Sequence, residues 1–229
     1  MPSVPPPKRH PYNQWSPDAR ALDLVGDKWT LLIIRDLAGG PRRFVELQRV
    51  LPGISTEQLR SRLNRMVADG LLTRQRYREV PPRVDYELTE RARAVLPVVS
   101  ALATWGYTWA WSPPRAGEAV DVGAILRAAS GHAAPARARS GLAELVVTAR
   151  GRADRHYAMR LGDGVTIEER AAPDADVRVS GTERAWIDAF SPSASRSGLT
   201  VEGDQRVADA VLDVCGAPAL AADGASAVA

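Results

Sequence analysis

The chain has 229 residues, enough for two modest domains or one large one, and its 45% hydrophobic and 25% charged residues are typical of a globular protein. No run approaches the roughly 18 apolar residues of a membrane span, and a single cysteine, Cys215, excludes a disulfide within the chain and favours a reducing compartment. The net charge of +3 hides a basic stretch at 41–83, where ten arginines face four acidic residues and predict a polyanionic partner.

Residues 1–14 are rich in proline and lack the apolar segment of a secretory signal, so we expect a flexible arm on a cytoplasmic protein with no membrane partner. Apolar residues at three- and four-residue spacing then predict one helix from Pro17 to Ala38. A short helix follows, with Phe44, Leu47 and Leu51 on one face, and Pro52-Gly53 ends it.

A third helix is expected to begin at Ser55, where Ser-Thr-Glu-Gln forms a capping-box pattern. Its apolar residues fall within one arc, and Ser61 and Arg65 lie on the opposite arc. Two segments of strand character follow, Leu72–Tyr77 and Arg83–Leu88, joined by a hairpin tip with two prolines. Thr89 is expected to cap another helix that reaches Trp111 and kinks at Pro97.

Residues 113–116 are the predicted linker between domains at 15–112 and 117–216, and the tail at 217–229 is expected to be flexible. The second domain should start with a helix near 119–130. Five segments of strand character and two helices are then predicted, namely the strands 143–149, 156–161, 164–169, 177–180 and 199–201 and the helices 182–190 and 204–215.

The order of elements up to residue 88 is that of a winged helix-turn-helix. A recognition helix buries one face and presents polar and arginine side chains to the major groove, so we expect base contacts from Thr56, Gln58, Ser61, Arg62 and Arg65. Arg42 and Arg43 precede a helix, where a cation and free N–H groups can hold a phosphate. Arg78 and Arg83 belong to the wing and suit phosphates or the minor groove.

Several sequence blocks resemble the HxlR-type regulators over roughly residues 16–107. These blocks are Ala21–Leu37, Gly40–Leu47, Leu51–Ser55, Val80–Thr89 and Ala103–Gly106. The resemblance implies a homodimer built through the first and last helices of that domain. It also implies a two-fold operator in double-stranded DNA and, often, action as a repressor.

Members of that family often carry a cysteine just before the Ala-Leu-Asp-Leu block, and some use it to sense oxidants or electrophiles. Here that position is Ser16. A serine hydroxyl cannot form the thiolate that such chemistry requires, so thiol sensing at this position is excluded.

The C-terminal half resembles the sterol carrier protein type 2-like fold in Ala175–Gly181, in the helix holding Trp186 and in Gly198–Asp204. The resemblance implies a mixed five-stranded sheet with helices on one face, around an apolar tunnel for lipid-like ligands. An apolar small-molecule effector would then contact Trp186, Phe190, Val211 and Leu212. The alternative is that these four residues are ordinary packed core.

Enzyme chemistry has no support in the sequence. The three histidines are scattered, no metal-ligand spacing or phosphate-binding loop occurs, and we expect neither cofactor nor metal. The sequence therefore predicts an α+β chain, with an N-terminal winged helix-turn-helix and a C-terminal sterol carrier-like domain, that regulates transcription. The alternatives are a carrier of lipid-like ligands whose winged helix only dimerises, and an accessory domain that binds an acyl or polyketide substrate.

Overall fold

The computed structural model describes residues 11–77, 83–132, 140–149 and 151–217. The chain divides into two compact units between Leu96 and Pro97. Most of the predicted N-terminal arm, the hairpin tip at 78–82 and the tail from 218 onward lie outside the described residues.

The first unit has the element order of a winged helix-turn-helix, as the sequence predicts. Its elements are α1 (Pro17–Val25), α2 (Thr30–Leu37), β1 (Arg42–Arg43), α3 (Phe44–Val50), α4 (Thr56–Ala68), β2 (Leu72–Tyr77), β3 (Arg83–Leu88) and α5 (Glu90–Arg93). The strands form an antiparallel sheet in the order β1-β3-β2. The two-residue strand β1, absent from the sequence-based prediction, pairs with the wing through Arg42–Tyr86 and Arg43–Asp85.

The prediction of one helix over 17–38 is wrong, because α1 ends at Val25 and α2 begins at Thr30. Asp27 accounts for the break. Its Oδ1 accepts the backbone N–H groups of Trp29 at 2.9 Å and Thr30 at 3.1 Å. These groups would otherwise lack partners at the start of a helix, so Asp27 favours a new helix over continuation of α1.

The helix predicted from Thr89 to Trp111 is also two helices, α5 and then α6 (Leu96–Trp109). Thr89 caps α5 as predicted, since its hydroxyl accepts the N–H of Ala92 at 3.3 Å. Pro97 lies in the first turn of α6, where a missing N–H costs no helical hydrogen bond. The predicted kink at Pro97 is therefore a break that comes just before it.

The second unit is built on a mixed five-stranded sheet in the order β6-β5-β4-β7-β8, in which only β4 and β7 pair in parallel. Every predicted strand and helix of this half has a counterpart within about three residues of its predicted ends. After α6 the elements are α7 (Val122–Ala128), β4 (Gly141–Thr148), β5 (Arg155–Leu161), β6 (Val165–Glu168), β7 (Val177–Thr182), α8 (Glu183–Phe190), β8 (Thr200–Gly203) and α9 (Gln205–Cys215).

One buried cluster joins the sheet of the second unit to its helices. Alternate residues of β4 and β5 share this cluster with α7, α8 and α9, so the three helices cover the same face of the sheet. Trp186, Tyr157 and Phe190 are its largest apolar members. Cys215 is buried in the same cluster, as predicted.

Helix α6 belongs to the second unit by its contacts, although the sequence placed it in the first domain. The Ser100 hydroxyl donates to the Ala128 carbonyl at 2.6 Å, and the Tyr107 hydroxyl donates to the Cys215 carbonyl at 3.3 Å. The linker at 113–116 stays a prediction, and residues 111–121 contain no helix or strand.

Two groups of ion pairs lie on the second unit's sheet and helices. The Arg127 guanidinium is almost fully buried and bonds the Asp121 carboxylate at 2.6 Å. The same carboxylate also pairs with Arg155 at 2.7 Å. On a different part of the sheet, the buried Glu144 carboxylate pairs with His156 at 3.0 Å and with Arg178 at 2.9 Å. Among the described residues, no helix is both long and apolar enough to cross a membrane.

Candidate nucleic-acid interface

Helix α4 is the candidate recognition helix, and its start is fixed by the predicted capping box. The Ser55 hydroxyl accepts the Gln58 N–H at 3.1 Å, and the Gln58 side-chain oxygen accepts the Ser55 N–H at 3.2 Å. Leu59, Leu63 and Met66 are fully buried and hold the helix against the unit's core. The face opposite these three residues is therefore free to meet DNA.

Three of the five predicted base-contacting side chains on α4 already bond other groups of the protein. Gln58 completes the capping box, and the Thr56 hydroxyl accepts from the Gln48 side-chain amide at 2.7 Å. Arg62 Nη1 lies 2.9 Å from Asp27 Oδ2. Ser61 and Arg65 lie opposite the buried residues on the helical wheel, and both are half-buried.

Two polar residues of α4 were missing from the predicted set. Arg60 is more exposed than Arg62 and forms only a surface pair with Glu57 at 3.5 Å. Asn64 is half-buried and lies one turn after Arg60. Asn64 could have been predicted from the helical wheel alone, because this residue lies near the outer arc that carries Ser61.

Arg42 and Arg43 lie before α3 as predicted, but the groups expected to hold a phosphate are engaged. The Arg43 N–H donates to Glu46 at 2.7 Å, so this helix start already has a carboxylate at its free N–H groups. Arg42 Nε donates to the carbonyl of Asp36 at 2.8 Å. The Arg43 guanidinium is half exposed and lies 3.9 Å from Asp85.

The wing carries arginines of two kinds. Arg83 donates to both carboxylate oxygens of the buried Asp85 at 2.6 to 2.9 Å and lies over the Tyr77 ring, so a local partner offsets its charge. Arg74 and Arg76, which the sequence analysis did not single out, are exposed on β2. Arg78 lies outside the described residues.

The four side chains predicted to line a ligand tunnel all lie in the core of the second unit. Trp186, Phe190, Val211 and Leu212 are at most 2% exposed. The Trp186 Nε1–H donates to the Val146 carbonyl at 3.0 Å, and its ring packs 5.4 Å from that of Phe190. The described part of the chain contains no group of three or more His, Cys, Asp or Glu residues placed to hold a metal.

Comparison with known proteins finds relatives of the first half of the chain. The profile of a family described as HxlR-like helix-turn-helix matches residues 24–113. A helix-turn-helix-type transcriptional regulator of Synechocystis is 41% identical over 93 residues, which are 41% of this chain and 69% of the relative. One from Halalkalibacterium halodurans is 43% identical over 94 residues, 41% of this chain and 83% of the relative.

Among solved structures, the reduced form of the redox regulator HypR is similar to this chain. It is 36% identical, with a TM-score of 0.39, over 41% of this chain and 92% of its own. The family profile ends at residue 113, so the second unit beyond that point lies outside it.

Proposed function

The chain belongs to the HxlR-like helix-turn-helix family of transcriptional regulators, which are not enzymes, and we propose that it binds a two-fold operator as a homodimer under the control of its second unit. The observation that carries this proposal is the capped helix α4, which buries one face and presents Ser61, Asn64 and Arg65 on the other. Because its partner is chromosomal DNA, we place the protein in the cytoplasm.

Base contacts come from the outer face of α4, and phosphate contacts come from the wing. Arg65 is long enough to reach a guanine edge, and Ser61 suits several bases. Arg74 and Arg76 on β2 add positive charge beside the groove, whereas Asp85 offsets the charge of Arg83. The half-exposed Arg43 guanidinium adds a further phosphate contact, whereas Arg42 Nε already donates to the Asp36 carbonyl.

The homodimer forms through α6. Four large apolar side chains recur along one stripe of this helix and are exposed, namely Val98 at 55%, Leu102 at 53%, Trp105 at 57% and Trp109 at 70%. A soluble monomer rarely exposes a continuous apolar stripe of this size, so a second copy is its natural occupant. A homodimer carries two copies of α4, so its operator should contain two half-sites about 34 Å apart, one turn of the DNA helix.

The second unit is the effector domain in this proposal. Its mixed five-stranded sheet with helices on one face supports the resemblance to sterol carrier-like folds, and the effector is an apolar small molecule that contacts Trp186, Phe190, Val211 and Leu212. These residues are tightly packed here, so the ligand must displace them as it binds. Thermal shift with fatty acids, sterols and aromatic polyketides tests this part, and no shift with any of them refutes it.

The test of DNA binding starts from random duplexes, so it does not depend on a chosen operator sequence. The wild-type protein selects duplexes from a random library, and fluorescence anisotropy then measures its affinity for the selected duplex at two salt concentrations. We expect a selected sequence with two-fold symmetry and a steep loss of affinity with salt. Arg65→Ala should lower the salt slope by about 0.9 or weaken discrimination at one base pair by about tenfold, whereas Arg184→Ala, which replaces an exposed arginine of α8 in the second unit, should do neither.

Failure of the wild-type protein to enrich any sequence would refute the proposal. Ligand binding without sequence selection would instead favour a carrier of lipid-like ligands whose winged helix only dimerises. Turnover of an acyl or polyketide substrate would favour the accessory-domain alternative.

A further inference from the structure

We propose that Arg62 is a positioning residue, which fixes recognition helix α4 through Asp27, and that reading of bases is left to the outer face with Ser61, Asn64 and Arg65. This assignment rests on the proposed function and goes beyond it. The sequence indicates which residues of α4 face outward, and the contacts of the structure separate the polar residues that hold the helix from those that are available to meet DNA.

The Asp27 carboxylate is held by residues of its own segment, independently of Arg62. Its Oδ1 accepts the N–H groups of Trp29 and Thr30, and its Oδ2 bonds the Thr30 hydroxyl. These bonds tie the carboxylate to the first turn of α2 and leave Oδ2 facing α4. The Arg62 guanidinium therefore forms an ion pair, at 2.9 Å, with a carboxylate that α2 already holds through three hydrogen bonds.

The position of Arg62 on the helix supports the same role. At about 100° per residue, Arg62 lies about 60° from the buried Leu59, whereas Ser61 lies about 160° and Arg65 about 120° from it. Its side chain is 31% exposed, and the residues of the outer face are half-buried as well, so angular position and the ion pair distinguish Arg62 from them. Arg62 thus lies on the flank of the helix, next to the buried face.

Two anchors together define how α4 is turned about its own axis. The first is at its start, where Ser55 caps the helix and Thr56 bonds Gln48. The second is the Arg62–Asp27 pair, nearly two turns later. A helix held at both points meets the groove with its outer face already aligned, so less orientational freedom is lost when DNA binds.

The experiment measures DNA affinity against salt concentration for matched variants, with the duplex selected by the wild-type protein and a random duplex of equal length. The variants are Arg62→Met, Asp27→Asn and their double mutant. Asn accepts the Trp29 and Thr30 N–H groups as Asp does, so Asp27→Asn removes the ion pair and keeps the helix cap. Asp23→Asn removes one negative charge from α1 and is its matched control, and Arg65→Met is the matched control for a DNA contact.

We expect both single variants to lose about fivefold in affinity for the selected duplex, the scale of one partly exposed ion pair. The double mutant should lose no more than either single variant, and the slope of log affinity against log salt should stay at the wild-type value. Arg65→Met should instead lower that slope by about 0.9 or weaken discrimination at one base pair by about tenfold.

The opposite pattern overturns the assignment. If Arg62 contacts DNA itself, Arg62→Met lowers the salt slope or relaxes one base pair. Asp27→Asn then raises affinity more than Asp23→Asn does, because it frees the guanidinium. Single losses that simply add in the double mutant also overturn it. These outcomes are distinct from failure of the proposed function, in which the wild-type protein selects no sequence at all.

Discussion

Replacing one exposed valine of α6 should weaken the homodimer, while the same replacement on α3 should not. Val98 on α6 and Val45 on α3 are matched in residue type and in exposure, at 55% and 60%. Full burial of a valine side chain is worth about 2 kcal/mol, so covering the exposed half of Val98 is worth about 1 kcal/mol per protomer. In the proposed homodimer both copies of Val98 lie in the two-fold interface, which gives about 2 kcal/mol per dimer and about a 30-fold rise in Kd for Val98→Ser.

Sedimentation equilibrium of the DNA-free protein measures this Kd directly, and Val45→Ser should leave it unchanged. Trp105→Ser should have a larger effect, because the exposed part of that side chain is on the order of 140 Å². Its burial in both protomers is worth at most about 7 kcal/mol. Equal shifts for Val98→Ser and Val45→Ser, or no shift for either, would show that α6 is not the dimer interface.

Three further predictions concern the second unit. Arg127→Met should cost about 2 kcal/mol of unfolding free energy in urea, because it removes the charged hydrogen bond from the buried guanidinium to the half-buried Asp121 carboxylate, which keeps its pair with Arg155. Loss of the surface pairs of Arg196 with Asp209 and Asp213 in Arg196→Met should cost less than about 1 kcal/mol, and equal losses would contradict this. Burial alone would raise the pKa of Glu144, but bonds with His156 and from the Ala172 N–H, with the Arg178 charge, lower that pKa below its ordinary value of 4.5. The ionised carboxylate therefore stabilises the fold fully above pH 4.5, and this stabilisation is lost as the pH falls through the lowered pKa. Glu144→Gln should flatten the acid side of a curve of unfolding free energy against pH. An unchanged curve would refute this. Burial raises the pKa of the Cys215 thiol to about 12, so iodoacetamide at pH 8 should modify it only after unfolding, and mass spectrometry would detect native labelling if this is wrong.

The elements of the second unit could be predicted to within about three residues at each end, because each is short and bounded by a turn or cap of its own. The long apolar stretch from Pro17 to Ala38 was harder. Periodicity of apolar residues records which face is buried and continues across a break when the next helix buries a similar face. The signal that could have marked the break is Gly26-Asp27 followed by Thr30, a polar cap placed within the pattern.

The candidate interface was predictable in outline and less so in detail. The sequence indicates which residues of α4 face outward, but the Asp27–Arg62 pair joins groups 35 positions apart and leaves no local pattern. The pairing of Arg83 with Asp85 was accessible, since residues two apart on a strand share a face. The sequence could therefore have shown that Asp85 offsets the charge of Arg83 in the wing.

Helix α6 also bears on how an effector could act over a distance. Its exposed stripe faces away from the chain, while Ser100 and Tyr107 on its other side donate to carbonyls of Ala128 and Cys215. In the proposed homodimer, a movement of α7 or α9 would therefore reach the partner copy through these two hydrogen bonds and α6, without passing through the irregular residues 111–121. A chain cut after residue 113, where the family profile ends, would leave these two hydroxyls without the carbonyls to which they donate.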